Sequence, residues 1–260
     1  NADVTAVSQV VQIHLQAGNV DTARSYLDQA LVDFPGDPTL QMLNASLFAM
    51  AGDFAQAETQ FRDMIAATPS AEGPVLRLYN LLISTDQAAA AGELIDNALL
   101  VQPESLNLRW IRAGQLEAQG NIDDAIALYE EMYAVNSGAV TIANNLASLI
   151  ATHKNDDASI ARAATIAKRL RELDVPPFQD TYGWIAFRQN KFEEARTYLE
   201  PAAAGLPDDP LVQYHLGMTY AALGETDKAV TQLNRALALA GDSALPQFDV
   251  ARSMLLELGQ

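Results

Sequence analysis

Cysteine is absent from this 260-residue chain. That excludes disulfides, thiol nucleophiles and cysteine-ligated metal, and it fits any redox compartment. Only three histidines are present, His14, His153 and His215, too few and too scattered for a metal site or a catalytic triad. Lysine is nearly as scarce, with Lys154, Lys168, Lys191 and Lys228 the only four. Sixteen Lys and Arg stand against 33 Asp and Glu, a formal net charge of −17. Such a balance argues against nucleic acid, whose binding rests on neutralising phosphates. No apolar run approaches the roughly 18 residues of a membrane span. Also missing are HExxH, a phosphate loop, GxSxG and a dinucleotide fingerprint. Asn155-Asp156-Asp157 lacks the glycine and distal Glu of a calcium loop. The chain reads as non-catalytic, with no cofactor and no metal.

What is present is a period. Ala23, Ala57, Ala91 and Ala125 recur every 34 residues, as do Gly18, Gly52 and Gly120, with Asp86 in the place of the missing glycine. Pro35, Pro69 and Pro103 keep the same step. One helix or strand cannot generate that spacing; a stacked supersecondary unit can. Pro38 to Ala71 shows its grammar. Leu40, Leu43, Leu47 and Met50 recur at helical spacing. Gly52 sits where a helix C-terminus places a residue of positive φ. Asp53 is a candidate N-cap for a second helix with an inner face of Phe54, Ala57, Phe61, Met64 and Ile65. Pro69 stops it. Ala57 lies where two helices approach closely, and a larger residue there overpacks by roughly 1–3 kcal/mol.

The residues in this pattern resemble the tetratricopeptide (TPR) repeat. From Pro210 onward, Leu216, Gly217, Tyr220, Gly224, Ala229, Leu233 and Ala236 follow its consensus in order. Repeats start near Val4, Pro38, Glu72, Leu106, Val140, Pro176 and Pro210. The resemblance thus covers nearly the whole chain, with residues 4–243 as seven repeats and 244–260 as a C-terminal capping helix. The fifth repeat is lengthened by Thr152-His-Lys-Asn-Asp-Asp-Ala-Ser159, and Asp180-Thr-Tyr-Gly-Trp184 restores the register. Residues 1–3 read as an edge, a remnant of cloning, and the chain as a piece of a longer protein. The resemblance implies an all-α, right-handed superhelical solenoid whose first helices line a concave groove.

Of the 33 acids, those first helices hold Glu72, Glu117, Asp180, Asp249 and Glu257, against Arg77, Arg109, Arg112, Arg188 and Arg252. A near-neutral groove in an acidic molecule suits a protein or extended-peptide partner. Burial of the inner helices explains the same partition. Family geometry points Met42, Asn80 and Trp110 into the groove in the N-terminal half. Asn144, Asp180, Trp184, Phe187, Arg188, Tyr214 and Met218 point into it in the C-terminal half. The densest patch is Trp184, Phe187, Arg188, Tyr214 and Met218, residue types that dominate binding hot spots. Packing of these rings between repeats is the alternative. Arg109 and Arg112 fall where the family places apolar residues, so either the helix is rotated to bury Leu108 and Ile111 or the arginines pair with acids.

The leading functional reading is a protein-binding scaffold. The stretch from Asn144 to Gly224 is similar to TPR tails of bacterial envelope proteins, in particular lipoproteins associated with exopolysaccharide export and PEP-CTERM sorting. That implies an assembly platform in the periplasm, with a cytoplasmic location as the alternative. Competing readings are a regulatory arm of a larger enzyme such as a glycosyltransferase, and self-association through the valine-rich opening helix, giving a homo-oligomer.

Overall fold

The computed structural model describes residues 4–259; the reading of residues 1–3, and Gln260 at the end of the cap, fall outside them. Among the described residues all regular structure is helical, with no strand. The chain divides into two compact units, one up to Gln115 and one from Leu116. The first contains α1 (Val4–Gln16), α2 (Val20–Asp33), α3 (Pro38–Met50), α4 (Phe54–Ala67), α5 (Glu72–Ser84) and α6 (Ala88–Val101). Helix α7 (Leu106–Ala118) runs across the boundary. The second contains α8 (Ile122–Val135), α9 (Val140–His153), α10 (Asp157–Ala167), a 3-10 turn (Lys168–Leu170), α11 (Pro176–Arg188), α12 (Phe192–Gly205), α13 (Pro210–Ala222), α14 (Thr226–Ala240) and α15 (Pro246–Glu257). The architecture is seven helix pairs and a terminal helix. Within each unit the odd-numbered helices touch one another in a layer, α1–α3–α5 in one and α9–α11–α13–α15 in the other.

One turn recurs within the pairs. Gly18, Gly52, Gly120 and Gly224 all have φ between +75° and +81°. The amide that follows each glycine bonds back five residues, as from Asp53 to Phe48 O at 2.9 Å and from Glu225 to Tyr220 O at 2.9 Å. Those bonds satisfy carbonyls that the helix end leaves open. Asp86 (φ 58°) and Asn190 (φ 60°) make the same turn without glycine. Asp53 then caps α4 by accepting from the Gln56 amide.

The core follows from the small residue near the start of each second helix. Ala23, Ala57, Ala91, Ala125, Ala163, Ala195 and Ala229 are each 0% exposed. Opposite them, the first helix of two pairs carries glycine. A Cβ on Gly217 would lie 2.7 Å from Leu233 Cδ2 and 3.1 Å from its backbone nitrogen, and one on Gly183 would meet Leu199 at 2.7 Å. Phe54 departs from its expected inner position, being 46% exposed at the first residue of α4. In α1, Val11 is buried while Ile13 faces outward.

Two irregularities have simple causes. In α7, Leu108 is buried and Ile111 packs against the core of the first unit. Arg109 bonds Glu104 at 3.1 Å and Arg112 bonds Asp96 at 3.2 Å, so rotation and acid pairing both hold. In the fifth pair, Asp156 caps α10 through the Ser159 amide at 2.9 Å. That helix spans only 11 residues and tightens into the 3-10 turn, where the other second helices span 14 or 15.

Gly217→Ala should lower unfolding stability by roughly 1–3 kcal/mol, because the Leu233 backbone cannot retreat from the new methyl. Asp86→Gly should raise it by about 0.5–1 kcal/mol, the relief of left-handed strain less the entropy gained by the unfolded chain. Urea midpoints of the two variants, moving in opposite directions, check both.

Candidate functional site

The odd-helix layer of the second unit holds most of the expected partner-binding residues. Asp180 on α11 accepts from the imidazole of His215 on α13, with Oδ1 and Nδ1 2.9 Å apart. The Trp184 indole stacks on that imidazole at 4.1 Å and 17°, and on Phe187 at 4.7 Å and 7°. Tyr214 meets Trp184 at 5.7 Å in a tilted contact. Arg188 donates to the carbonyls of Ala151 and Lys154 and to Asn155 Oδ1, which ties the last turn of α9 to α11. A cation on a helix C-terminus satisfies its open carbonyls and its dipole together. Burial lowers the Arg188 pKa and pushes the Tyr214 phenol up to about 12, with Arg188 pulling the phenol the other way.

These residues are occupied with one another. Trp184 is 7% exposed, Tyr214 4%, Met218 9% and Asn144 9%. The patch expected to be a binding face is largely interior, because ring-bearing positions on adjacent first helices fill the gap between them. Indole Nε1 of Trp184 and Oδ1 of Asn144 are buried with no hydrogen-bond partner. Phe187, Arg188 and Asp180 are half-buried, as is Trp110 on α7. His215, the residue that links Asp180 to Trp184, gave no signal in the sequence beyond its place beside Leu216-Gly217.

An open groove lies instead in the first unit, between α3 and α5. One cavity of about 830 Å³ is lined by Met42, Leu43 and Ser46 of α3, Met64 of α4, and Pro74 and Arg77 of α5, among others. A second of about 410 Å³ is lined by Ser46, Met50, Phe54, Arg77, Asn80 and Ser84. Ser46 and Arg77 belong to both, so the two cavities adjoin there. Gly73 shapes one end. The Met42 methyl lies 3.3 Å from where a Cβ on Gly73 would stand, so the thioether reaches across the start of α5. The hydroxyls of Ser46 and Ser84 donate to their own helices, at Met42 O and Leu81 O. No Asp or Glu lines either cavity.

Arg77 is the cation of this groove. Of the five arginines on odd-numbered helices, Arg109, Arg112 and Arg252 pair with carboxylates and Arg188 holds carbonyls. Arg77 and Asn80, one turn apart and exposed, make no hydrogen bond or ion pair among the described residues. An apolar trough with methionine walls, one free guanidinium and one free carboxamide can bind a ligand by area and orient it by polar contacts. It offers no proton-transfer constellation. No group of three His, Cys, Asp or Glu among the described residues could hold a metal ion. Nor is any described helix long and apolar enough to cross a membrane.

Models of the tetratricopeptide repeat match residues 11–72, 80–139, 112–172 and 186–247. The chain belongs to the tetratricopeptide repeat family. A TPR repeat-containing protein of Pseudomonas aeruginosa, PA4667, is 27% identical over 205 residues, covering 76% of this chain and 33% of the relative. The chain therefore spans about a third of that protein's length. Among solved structures, YrrB, described as a TPR protein with an unusual peptide-binding site, superposes with a TM-score of 0.52 at 17% identity. That match covers 74% of this chain and 97% of YrrB. PilW, described as a widely conserved type IV pilus biogenesis factor, gives a TM-score of 0.56 at 14% identity, over 82% of this chain and 97% of PilW. At such identities the likeness is one of fold.

The TPR register places Met42 and Asn80 in the open groove and Trp184, Tyr214 and Met218 inside the packed layer. Trp184→Ala should therefore cost roughly 3–5 kcal/mol of stability, as for other buried aromatics. Arg77→Ala should stay within about 0.5 kcal/mol of the parent. Chemical denaturation followed by circular dichroism distinguishes the two.

Proposed function

We propose that this TPR chain is a non-catalytic module that binds a protein partner by taking an extended segment of it into the groove between α3 and α5. The observation that carries the reading is the lining. In a molecule of net charge −17, the groove has no carboxylate, apolar walls that include Met42, Met50, Phe54 and Met64, and the unpaired Arg77 where its two cavities adjoin. A segment with apolar side chains and a single carboxylate matches it. Methionine and phenylalanine supply adaptable contact area. A guanidinium that meets a carboxylate in a partly dry trough gives orientation. Asn80 offers a donor and an acceptor to the segment's main chain.

The reading extends to a bacterial envelope assembly, a platform for an export or sorting machine. Its support is the likeness of the lengthened fifth repeat and the Asp180-Thr-Tyr-Gly-Trp184 marker to envelope TPR tails. A fold shared with a pilus biogenesis factor supports it too. A second reading rests on PA4667, of which the matched part is 33%. There the module is an arm of a larger protein, and the groove recruits that protein's substrate or partner.

Panning a random peptide library against the chain tests the groove directly. Enriched peptides should be apolar with one acidic residue or a free C-terminus. Arg77→Glu should weaken them at least ten-fold, and Met42→Lys similarly, with helicity unchanged. Peptides that bind the Arg77→Glu variant as well as the parent would place the site elsewhere.

A further inference from the structure

The second unit holds a further concavity, beside the short helix α10. Helix α10 ends after 11 residues and tightens into the turn at Lys168–Leu170. A cavity of about 250 Å³ remains between α10, α11 and the start of α12. Its floor is apolar, from Ile185 and the alanines of α10 and α11. Its polar rim is Lys168, Lys191, Gln189, Tyr182 and Glu194, with Thr165 beside them.

The two lysines make this cavity unusual. Lys154 is bonded to Asp123 at 2.5 Å and Lys228 to Glu225 at 2.6 Å. Lys168 makes no side-chain bond among the described residues, and Lys191 donates only to the neutral Gln189 Oε1 at 2.8 Å. Acids outnumber bases two to one in this chain, yet both lysines without a carboxylate converge on the same cavity. The wider setting agrees. Residues 154–196 hold eight of the 16 Lys and Arg and seven of the 33 Asp and Glu, a net charge of +1 where the rest of the chain carries −18. The cavity's own acid, Glu194, is engaged: its Oε1 accepts from the Tyr182 hydroxyl at 3.0 Å.

We propose that this cavity is a docking point for an acidic segment of a partner protein, with one glutamate side chain seated between Lys168 and Lys191. The apolar floor takes the glutamate methylenes and the two ammonium groups take its carboxylate. A carboxylate suits the site better than a phosphate, since Glu194 on the rim repels a dianion more than a monoanion. The contact is local, because fields from the acidic remainder fade within about 8 Å at physiological salt. It is separate from the groove at Arg77, so either site can fail alone.

The scarcity of lysine supplies the test. The full chain, labelled with ¹³C at its lysine ε-carbons, should give four resolvable signals. It is titrated with a capped peptide of alternating Glu and Ala, with the Gln counterpart, and with inorganic phosphate. The Lys168 and Lys191 signals should shift together and saturably with the Glu peptide, hardly at all with the Gln peptide, and less as NaCl is raised. Lys154 and Lys228 should stay in place. K168Q plus K191Q, at exposed positions, should weaken the peptide's binding by about five-fold or more, as two exposed ion pairs would. Equal shifts at all four lysines, no shift at Lys168 and Lys191, or a response to phosphate at lower concentration than to the peptide would overturn the proposal.

Discussion

The structure depends on one close contact, repeated: the crossing of the two helices in a pair, where no side chain larger than a methyl fits. Seven alanines at that crossing have no exposed surface at all. Packing is short-ranged and steep, so an added carbon at such a point forces a shift in backbone or rotamer. The crossing fixes how deeply the second helix nests, and that depth decides which residues of the first helix reach the outside of the layer. Every statement about a groove or a cavity in this chain is downstream of it.

That constraint also explains what the sequence made legible. A residue type demanded by sterics must recur wherever the geometry recurs, so the alanine and glycine markers revealed the period, the helix pairs and the turn with positive φ. Asp86 and Asn190 show the rule's tolerance, since short polar residues visit the left-handed region more readily than others. The doubled outcome in α7 was legible only as alternatives. Burying Leu108 rotates Arg112 toward Asp96, so rotation and ion pairing are one arrangement.

The site was legible in part, and the reason is physical. Periodicity tells which face a residue occupies, and so Met42, Asn80, Trp184 and Tyr214 were all assigned to one face. Whether the gap beside it is open depends on the volumes of the residues across from it, which periodicity does not encode. Between α11 and α13 an indole, an imidazole and a phenol fill the space and leave Trp184 7% exposed. Between α3 and α5 no ring among the described residues stacks across the gap, and cavities lined by Met42, Ser46, Met50 and Arg77 remain. One layer is closed by rings that stack across it, and the other is left open between longer, flexible side chains.

Charge completes the argument. Where acids are in excess, a base that lacks one is held apart by geometry and not by a shortage of partners. Most of the cations described above sit on carboxylates or helix ends; Arg77, Lys168 and Lys191 do not. All three line concavities, and two share one. A cation left in a concavity keeps part of its hydration only while the concavity is wet, so the free energy of filling it depends on whether the incoming group brings a negative charge. Apolar walls reward any partner by area, but they discriminate little between partners. In the proposed binding the unpaired cation would do the discriminating, because a segment without a carboxylate would bury it uncompensated. On the proposed reading, both concavities would select for acid-bearing segments in a molecule of net charge −17.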